Sequence, residues 1–230
     1  MGENAPELPF AFPGRPSIEK HMKLATEGFE MMRNVFSTET CADLIRELGP
    51  VSGAGRRLEA FSPPPRLFEL AAQRLENTPK AVRAILFDKS PDTNWLVTWH
   101  QDLTIAVREK REASGFGPWS VKEGLPHVQP PAELLERMLT LRLHLDDADE
   151  ENGALHVLPG THALGKLDTA RIQALRAEIS VHACKAKAGD VLLMRPLLLH
   201  ASSKSTSERH RRILHIEFSG FELLGGLVWA

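Results

Sequence analysis

In Met138-Leu139-Thr140-Leu141-Arg142-Leu143-His144-Leu145-Asp146-Asp147, apolar and polar side chains alternate with period two from Leu141 to Leu145. An extended strand sends Leu141, Leu143 and Leu145 to one face and Arg142 and His144 to the other. Such a strand needs an apolar layer on one side and polar groups on the other. Six further stretches are equally short and β-rich: VRAILFDK (82–89), NWLVTWHQDLTIAV (94–107), ALHVLP (154–159), ISVHACKA (179–186), GDVLLMRP (189–196) and RRILHIEFSG (211–220). Gly, Pro, Asp and Asn turns separate them. The expected fold is mostly β with flanking helices (α+β), a double-sheet barrel or jelly roll with helices packed outside it.

Upstream of residue 81 the spacing is mainly helical. Thr38 is expected to cap a helix over 39–48, where Cys41, Leu44, Ile45 and Leu48 recur at helical intervals. After Pro63-Pro64-Pro65, residues 66–76 repeat the pattern through Leu67, Leu70, Ala71 and Leu75. The segment 18–32 begins as a helix, and its end, 28–32, reads equally as a short strand. Pro6, Pro9, Pro13 and Pro16 deny residues 1–16 both helix and ladder, which makes them an arm. One domain over 1–230 is expected: the arm, a largely helical layer over 17–80, and a jelly-roll core over 81–220. Within the core, the Pro- and Gly-rich stretch 108–131 is a disordered excursion or, preferably, a lid that packs Phe116 and Trp119 over a pocket.

Composition narrows the function. With 42% hydrophobic residues in 230, the chain can bury a core. Its 28 Lys and Arg against 30 Asp and Glu give a net charge of −2, so the basic surface that nucleic acid or an anionic membrane would require is missing. A small-molecule partner is expected instead. No apolar run approaches the roughly 20 residues of a membrane helix, and the start, MGENAPELPFAFPG, lacks a basic-then-apolar signal pattern. A cytoplasmic location is expected. Cys41 and Cys184 form no CxxC, so any metal must be held by His and carboxylate.

His100-Gln101-Asp102 offers such a pair, because in a strand His100 and Asp102 share a face while Gln101 points away. His200, after the apolar run 191–199, is the best third ligand. Two His and one carboxylate on one face suit non-haem Fe(II), leaving positions open for a bidentate co-substrate and O2. Zinc accepts the same donors but brings no redox chemistry. HxD alone is a weak signal among ten His and 30 acids, and a hydrogen-bonded core histidine is the plainer reading of that tripeptide taken by itself. His144, His156, His182 and His215 also fall on expected strands, but none has the HxD spacing. Trp95 and Trp99, which share the face of Val97 under strict alternation, are expected to pack within the sheet.

Taken together, WHQD (99–102), ENGALHVLPGTH (151–162), AGDVLLMRPLLLHASS (188–203) and RRILHIEF (211–218) make the chain resemble the phytanoyl-CoA dioxygenase-like branch of the Fe(II)/2-oxoglutarate-dependent oxygenases. The resemblance spans about 87–220. It implies a double-stranded β-helix, His100, Asp102 and His200 as catalytic iron ligands, and 2-oxoglutarate and O2 as co-substrates. It further implies an arginine eleven positions beyond the distal histidine, Arg211, gripping the far carboxylate of 2-oxoglutarate with help from Ser202. A planar guanidinium suits that task because it offers two parallel hydrogen bonds and stays charged. Asp102 favours hydroxylation, since related halogenases replace this acid with a small residue.

Other residues carry more than one reading. Arg142 contacts an anionic group in the pocket or pairs with Asp146 or Asp147. Lys89, Asn94 and Thr98 could line the pocket, and Trp119 is the substrate contact expected from the lid. Asn152-Gly153 and Pro159-Gly160-Thr161-His162 are expected to be architectural, with His162 a hydrogen-bonding residue. A rival of another class is a non-catalytic cupin-like metal-binding module or sensor; a third is a structural protein with vestigial His and Asp. In a succinate-release assay, Asp102→Ala or His200→Ala should abolish 2-oxoglutarate turnover, whereas His162→Ala should leave most of it.

Overall fold

A computed structural model describes residues 22–51 and 53–230; the arm expected at 1–16 and the start of the first helical segment lie outside them. The chain runs α1 (Met22–Thr26), β1 (Phe29–Met32), α2 (Thr38–Leu48), β2 (Gly55–Arg57), α3 (Pro65–Ala72), β3 (Lys80–Lys89), β4 (Val97–His100) and β5 (Ile105–Ala106). It continues with β6 (Trp119–Lys122), β7 (Leu125–Val128), α4 (Ala132–Glu136), β8 (Leu139–His144), β9 (Leu155–Val157), α5 (Thr169–Glu178), β10 (His182–Cys184), β11 (Val191–Met194), β12 (His200–Ser202) and β13 (Arg211–Ser219). A six-stranded sheet ordered β1-β11-β8-β13-β3-β2 and a four-stranded sheet ordered β10-β9-β12-β4 form the double-stranded β-helix. Every pairing is antiparallel.

The alternation in β8 sorts the large sheet into two faces. Leu139, Leu141, Leu143 and Leu145 join Val191, Leu193, Leu214, Ile216 and Phe218 in an apolar layer. Cys41 and Leu44 of α2 and Leu67, Leu70 and Ala71 of α3 pack on that layer. The opposite face carries Arg142 from β8, Arg211, His215 and Glu217 from β13, and Arg83, Ile85 and Phe87 from β3 into a cavity between the sheets. Leu155 and Val157 of the small sheet meet Leu192, Met194 and Phe29 of the large one beside that cavity.

Several local expectations are corrected. The cap of α2 is Ser37, whose hydroxyl accepts from the Thr40 amide at 3.1 Å, and Thr38 is the first helical residue. The helix expected over 66–76 ends at Ala72. Within 17–80, β1 and β2 form the two edges of the large sheet, because the chain there lies beside unpaired strand edges that need partners. Within 108–131, residues 108–118 are irregular and β6 and β7 form a hairpin whose β7 pairs with β5. Its Phe116 and Trp119 pack on a cluster containing Ile105, Val128, Leu197 and Trp229. Among the described residues no helix is long and apolar enough to cross a membrane.

Leu143 is fully buried between the large sheet and the helices. Leu143→Ala should lower unfolding free energy by about 2–5 kcal/mol in urea titration, from lost transfer energy and the void left behind.

Candidate metal centre

Antiparallel pairing of β12 with β4 sets His200 directly opposite His100, with ring centroids 4.2 Å apart. Ser202 pairs with Val97, so three steps along β4 match two along β12, a bulge in β4. The extra residue brings Val97 and His100 to the cavity together. Trp99 turns outward under α5, packed with Leu158, Leu175 and Leu199. Strict alternation would have kept Trp99 with Val97. Trp95 lines the cavity, and the Lys89 ammonium sits 5.3 Å from its ring centroid.

Asp102 follows β4, its amide held by the Pro196 carbonyl at 2.9 Å. His100 Nε2 lies 3.6 Å from Asp102 Oδ1, and His200 Nε2 lies 3.7 Å from Asp102 Oδ2. One donor atom from each residue falls within 4.8 Å of the others, a grouping able to hold one metal ion. Gln101 points elsewhere: its amide donates to the Leu197 and Gly165 carbonyls and its oxygen accepts from the Leu167 amide. The middle residue of HxD thus clamps the segment that carries the other two.

Each imidazole is oriented from behind. His100 Nδ1 meets the Thr98 carbonyl and His200 Nδ1 the Leu198 carbonyl, both at 2.8 Å. Those contacts favour a proton on Nδ1 and leave the Nε2 lone pairs for the centre. Burial pushes the His200 imidazole down to about 4. For Asp102, burial acts upward, but the facing imidazoles, His200 foremost, hold the carboxyl well below the usual range. Asp102 Oδ2 is buried and has no hydrogen-bond partner among the described residues. A carboxylate oxygen left unclaimed between two Nε2 atoms fits a divalent cation.

Cations gather on the facing sheet. Arg211 is 3% exposed and its Nε finds no partner among the described residues. Burial, then the neighbouring Arg142, lower it to about 9. Arg212 faces the other way and is fully engaged by Asp146, at 2.7 and 2.8 Å. Asp147 is taken by Lys187, so Arg142 pairs with neither acid. Its Nη1 instead donates to His215 Nδ1 at 2.9 Å, and its Nε has no partner among the described residues. Lys89, wholly buried, donates to Ser202 Oγ and the Ser203 carbonyl, and burial with Arg211 and Arg142 brings its ammonium down to about 7.

Gly153, at φ +76°, passes so close that a Cβ would lie 2.5 Å from the Ser203 carbonyl, which explains a glycine in this turn. Asn152 bridges the Asp147 carbonyl and the Asp149 amide. Asn94 clasps the Ser205 backbone, and Thr98 contributes its carbonyl behind His100; neither side chain lines the cavity. His162 lies apart from the centre, its Nε2 against the Ala25 carbonyl at 3.2 Å. Trp119 does not line the cavity, and the hairpin contributes Lys122 in its place. The sequence reading missed Arg83, Phe87, Trp95, Lys122 and Glu217 as cavity residues. Strand parity was the available signal for three of them: Glu217 is an even step from Arg211 along β13, and β3 sets Arg83 and Phe87 on the same side.

The cavity of about 370 Å³ is lined by both sheets and by Lys122 of the hairpin. Among solved structures the chain is similar to EvdMO1, at 24% identity and TM-score 0.60 over 86% of this chain, but it spans only 48% of that one. It is similar to HygX from Streptomyces hygroscopicus, solved with nickel and 2-oxoglutarate, at 17% identity and TM-score 0.60, covering 89% of this chain and 87% of that one. EctD from S. alaskensis with bound Fe aligns at 16% identity and TM-score 0.64, covering 89% and 77%. At these identities the likeness speaks for the fold. Among curated proteins no sequence matches the chain. The profile of the phytanoyl-CoA dioxygenase (PhyH) family matches residues 24–213, most of the jelly roll and every residue of the His-Asp-His grouping, and the chain belongs to that family of Fe(II)- and 2-oxoglutarate-dependent oxygenases.

Proposed function

We propose that the chain is a 2-oxoglutarate-dependent non-haem iron dioxygenase that hydroxylates a small organic substrate, with His100, Asp102 and His200 as the iron ligands. Fe(II) with 2-oxoglutarate and O2 supplies oxidative decarboxylation, giving succinate and CO2, coupled to oxidation of a substrate C–H bond. The observation that carries this reading is Arg211, a buried guanidinium with an unclaimed Nε in the same cavity as the His-Asp-His grouping. A guanidinium so placed costs free energy until an anion meets it. The distal carboxylate of 2-oxoglutarate is such an anion. Ser202, on the same face of β12 as His200, adds a hydroxyl that accepts from Lys89 and would turn its one proton from the Gly153 carbonyl to that carboxylate. A metal-binding module without turnover has no use for this clamp.

Arg142 is a second cation for the same co-substrate, held in place by His215. The protein's own part is to orient the two imidazoles through the Thr98 and Leu198 carbonyls, keep Asp102 ionised, and shield the reacting centre from water with Phe87, Leu103 and Trp95. Cys41 and Cys184, both free and buried, support a cytoplasmic setting.

Anaerobic titration of Fe(II) and 2-oxoglutarate should produce a weak visible charge-transfer band; its absence rejects the oxygenase reading. Arg211→Ala should raise the 2-oxoglutarate concentration needed for half-maximal band by about 10- to 100-fold, as the loss of a charge-assisted hydrogen-bond pair implies. An unchanged requirement would shift the clamp to Arg142.

A further inference from the structure

The cavity has a second charged end that the proposed chemistry leaves unused. Arg211 and Glu217 stand six residues apart on one face of β13, about 20 Å at the rise of an extended strand. β3 sets Lys89 opposite the first and Arg83 opposite the second, with Phe87 and Ile85 between. At this end Arg83 Nη1 lies 3.2 Å from Glu217 Oε1, which His215 Nε2 also approaches at 3.5 Å. Arg83 Nε is buried without a hydrogen-bond partner among the described residues. Lys122 arrives from the hairpin, donating to Thr104 Oγ1 at 3.0 Å. Arg83 and Lys122 line the same cavity.

The charge balance indicates what the space is for. Among the described residues, Arg83, Lys122, Arg142 and Arg211 line the cavity against two carboxylates, Asp102 and Glu217. Fe(II) and the 2-oxoglutarate dianion cancel one another, so loading the centre leaves the cationic surplus untouched. With Nη1 engaged by Glu217, the Arg83 edge formed by Nε and Nη2 is the one suited to a two-point oxyanion contact.

We propose that the primary substrate is a small organic anion whose carboxylate or phosphate is bound by Arg83 and Lys122, with Glu217 positioning the Arg83 guanidinium. This inference rests on the oxygenase reading, because it assigns the Arg211 end to 2-oxoglutarate. The apolar walls of Ile85 and Phe87 then carry the substrate's carbon skeleton between the anchor and the centre.

The test uses full-length protein loaded anaerobically with Fe(II) and saturating 2-oxoglutarate, with the visible band as proof of loading. Calorimetric titration with hexanoate, hexyl phosphate and neutral hexanamide should show at least one anion binding about tenfold or more tightly than the amide, as expected of a charge-assisted contact. The stronger of the two anions identifies carboxylate or phosphate. Lys122→Gln alone, and Arg83→Gln with Glu217→Gln so that no carboxylate is stranded, should each weaken that anion about tenfold on samples whose band shows loading. Equal binding of hexanamide, binding of neither anion, or undiminished anion affinity in both variants overturns the proposal. Failure of the band in the unsubstituted protein overturns the oxygenase reading instead.

Discussion

The contact on which the rest of the site depends is the cross-strand pair His100 and His200. β4 and β12 lie a hundred residues apart in sequence, and only their antiparallel register brings the two Nε2 atoms to a common point with Asp102. The backbone supports this twice, since the carbonyls that orient the imidazoles, Thr98 and Leu198, each stand two residues before the histidine they hold. The two proposed histidine ligands are therefore carried by the sheet and not by a loop. Asp102, beyond the end of its strand, is the exception, and the Gln101 clamp together with the Pro196 carbonyl compensates.

The large sheet solves a complementary problem. A jelly-roll interior filled with leucine would be stable but inert, and a wholly polar one would not fold. Period-two alternation in β8 and β13 gives the helices an apolar face and reserves the other for Arg142, Arg211, His215 and Glu217. Stability thus comes from outside the barrel and chemistry from inside it. The buried cations burden the fold, because their mutual repulsion and desolvation lower the pKa of Lys89 and Arg211. Binding of an anion relieves that burden, so ligand affinity and protein stability are linked.

Much of this was legible in the sequence because strand alternation is local. Leu141 to Leu145 announced the two faces, and HxD with His200 and Arg211 followed from motif order and resemblance. What escaped was set by interactions between strands. The exit of Trp99 and the entry of Trp95 follow from the β4 bulge, which shows only in the register with β12. Phe116 and Trp119 in the hairpin are apolar enough to cover a pocket, yet Trp229 and Leu197, distant in sequence, offer them a drier neighbour. Ser37 and Thr38 were both chemically able to cap α2, and the backbone geometry selected the earlier one.

The bulge also makes the chain unevenly tolerant of insertions and deletions during evolution. Residues 90–93, which open the connection from β3 to β4, can lengthen or shorten as a loop does, whereas Asn94, tied to the Ser205 backbone, Trp95 in the cavity, and Val97 to His100 must keep their places. Removing one residue between Val97 and His100 would restore strict alternation with both still facing the cavity, but it would take away either Thr98, whose carbonyl orients His100 Nδ1, or the Trp99 indole packed beneath α5. Divergence among relatives should accordingly accumulate gaps before Asn94 and substitutions, without gaps, from Asn94 to Asp102.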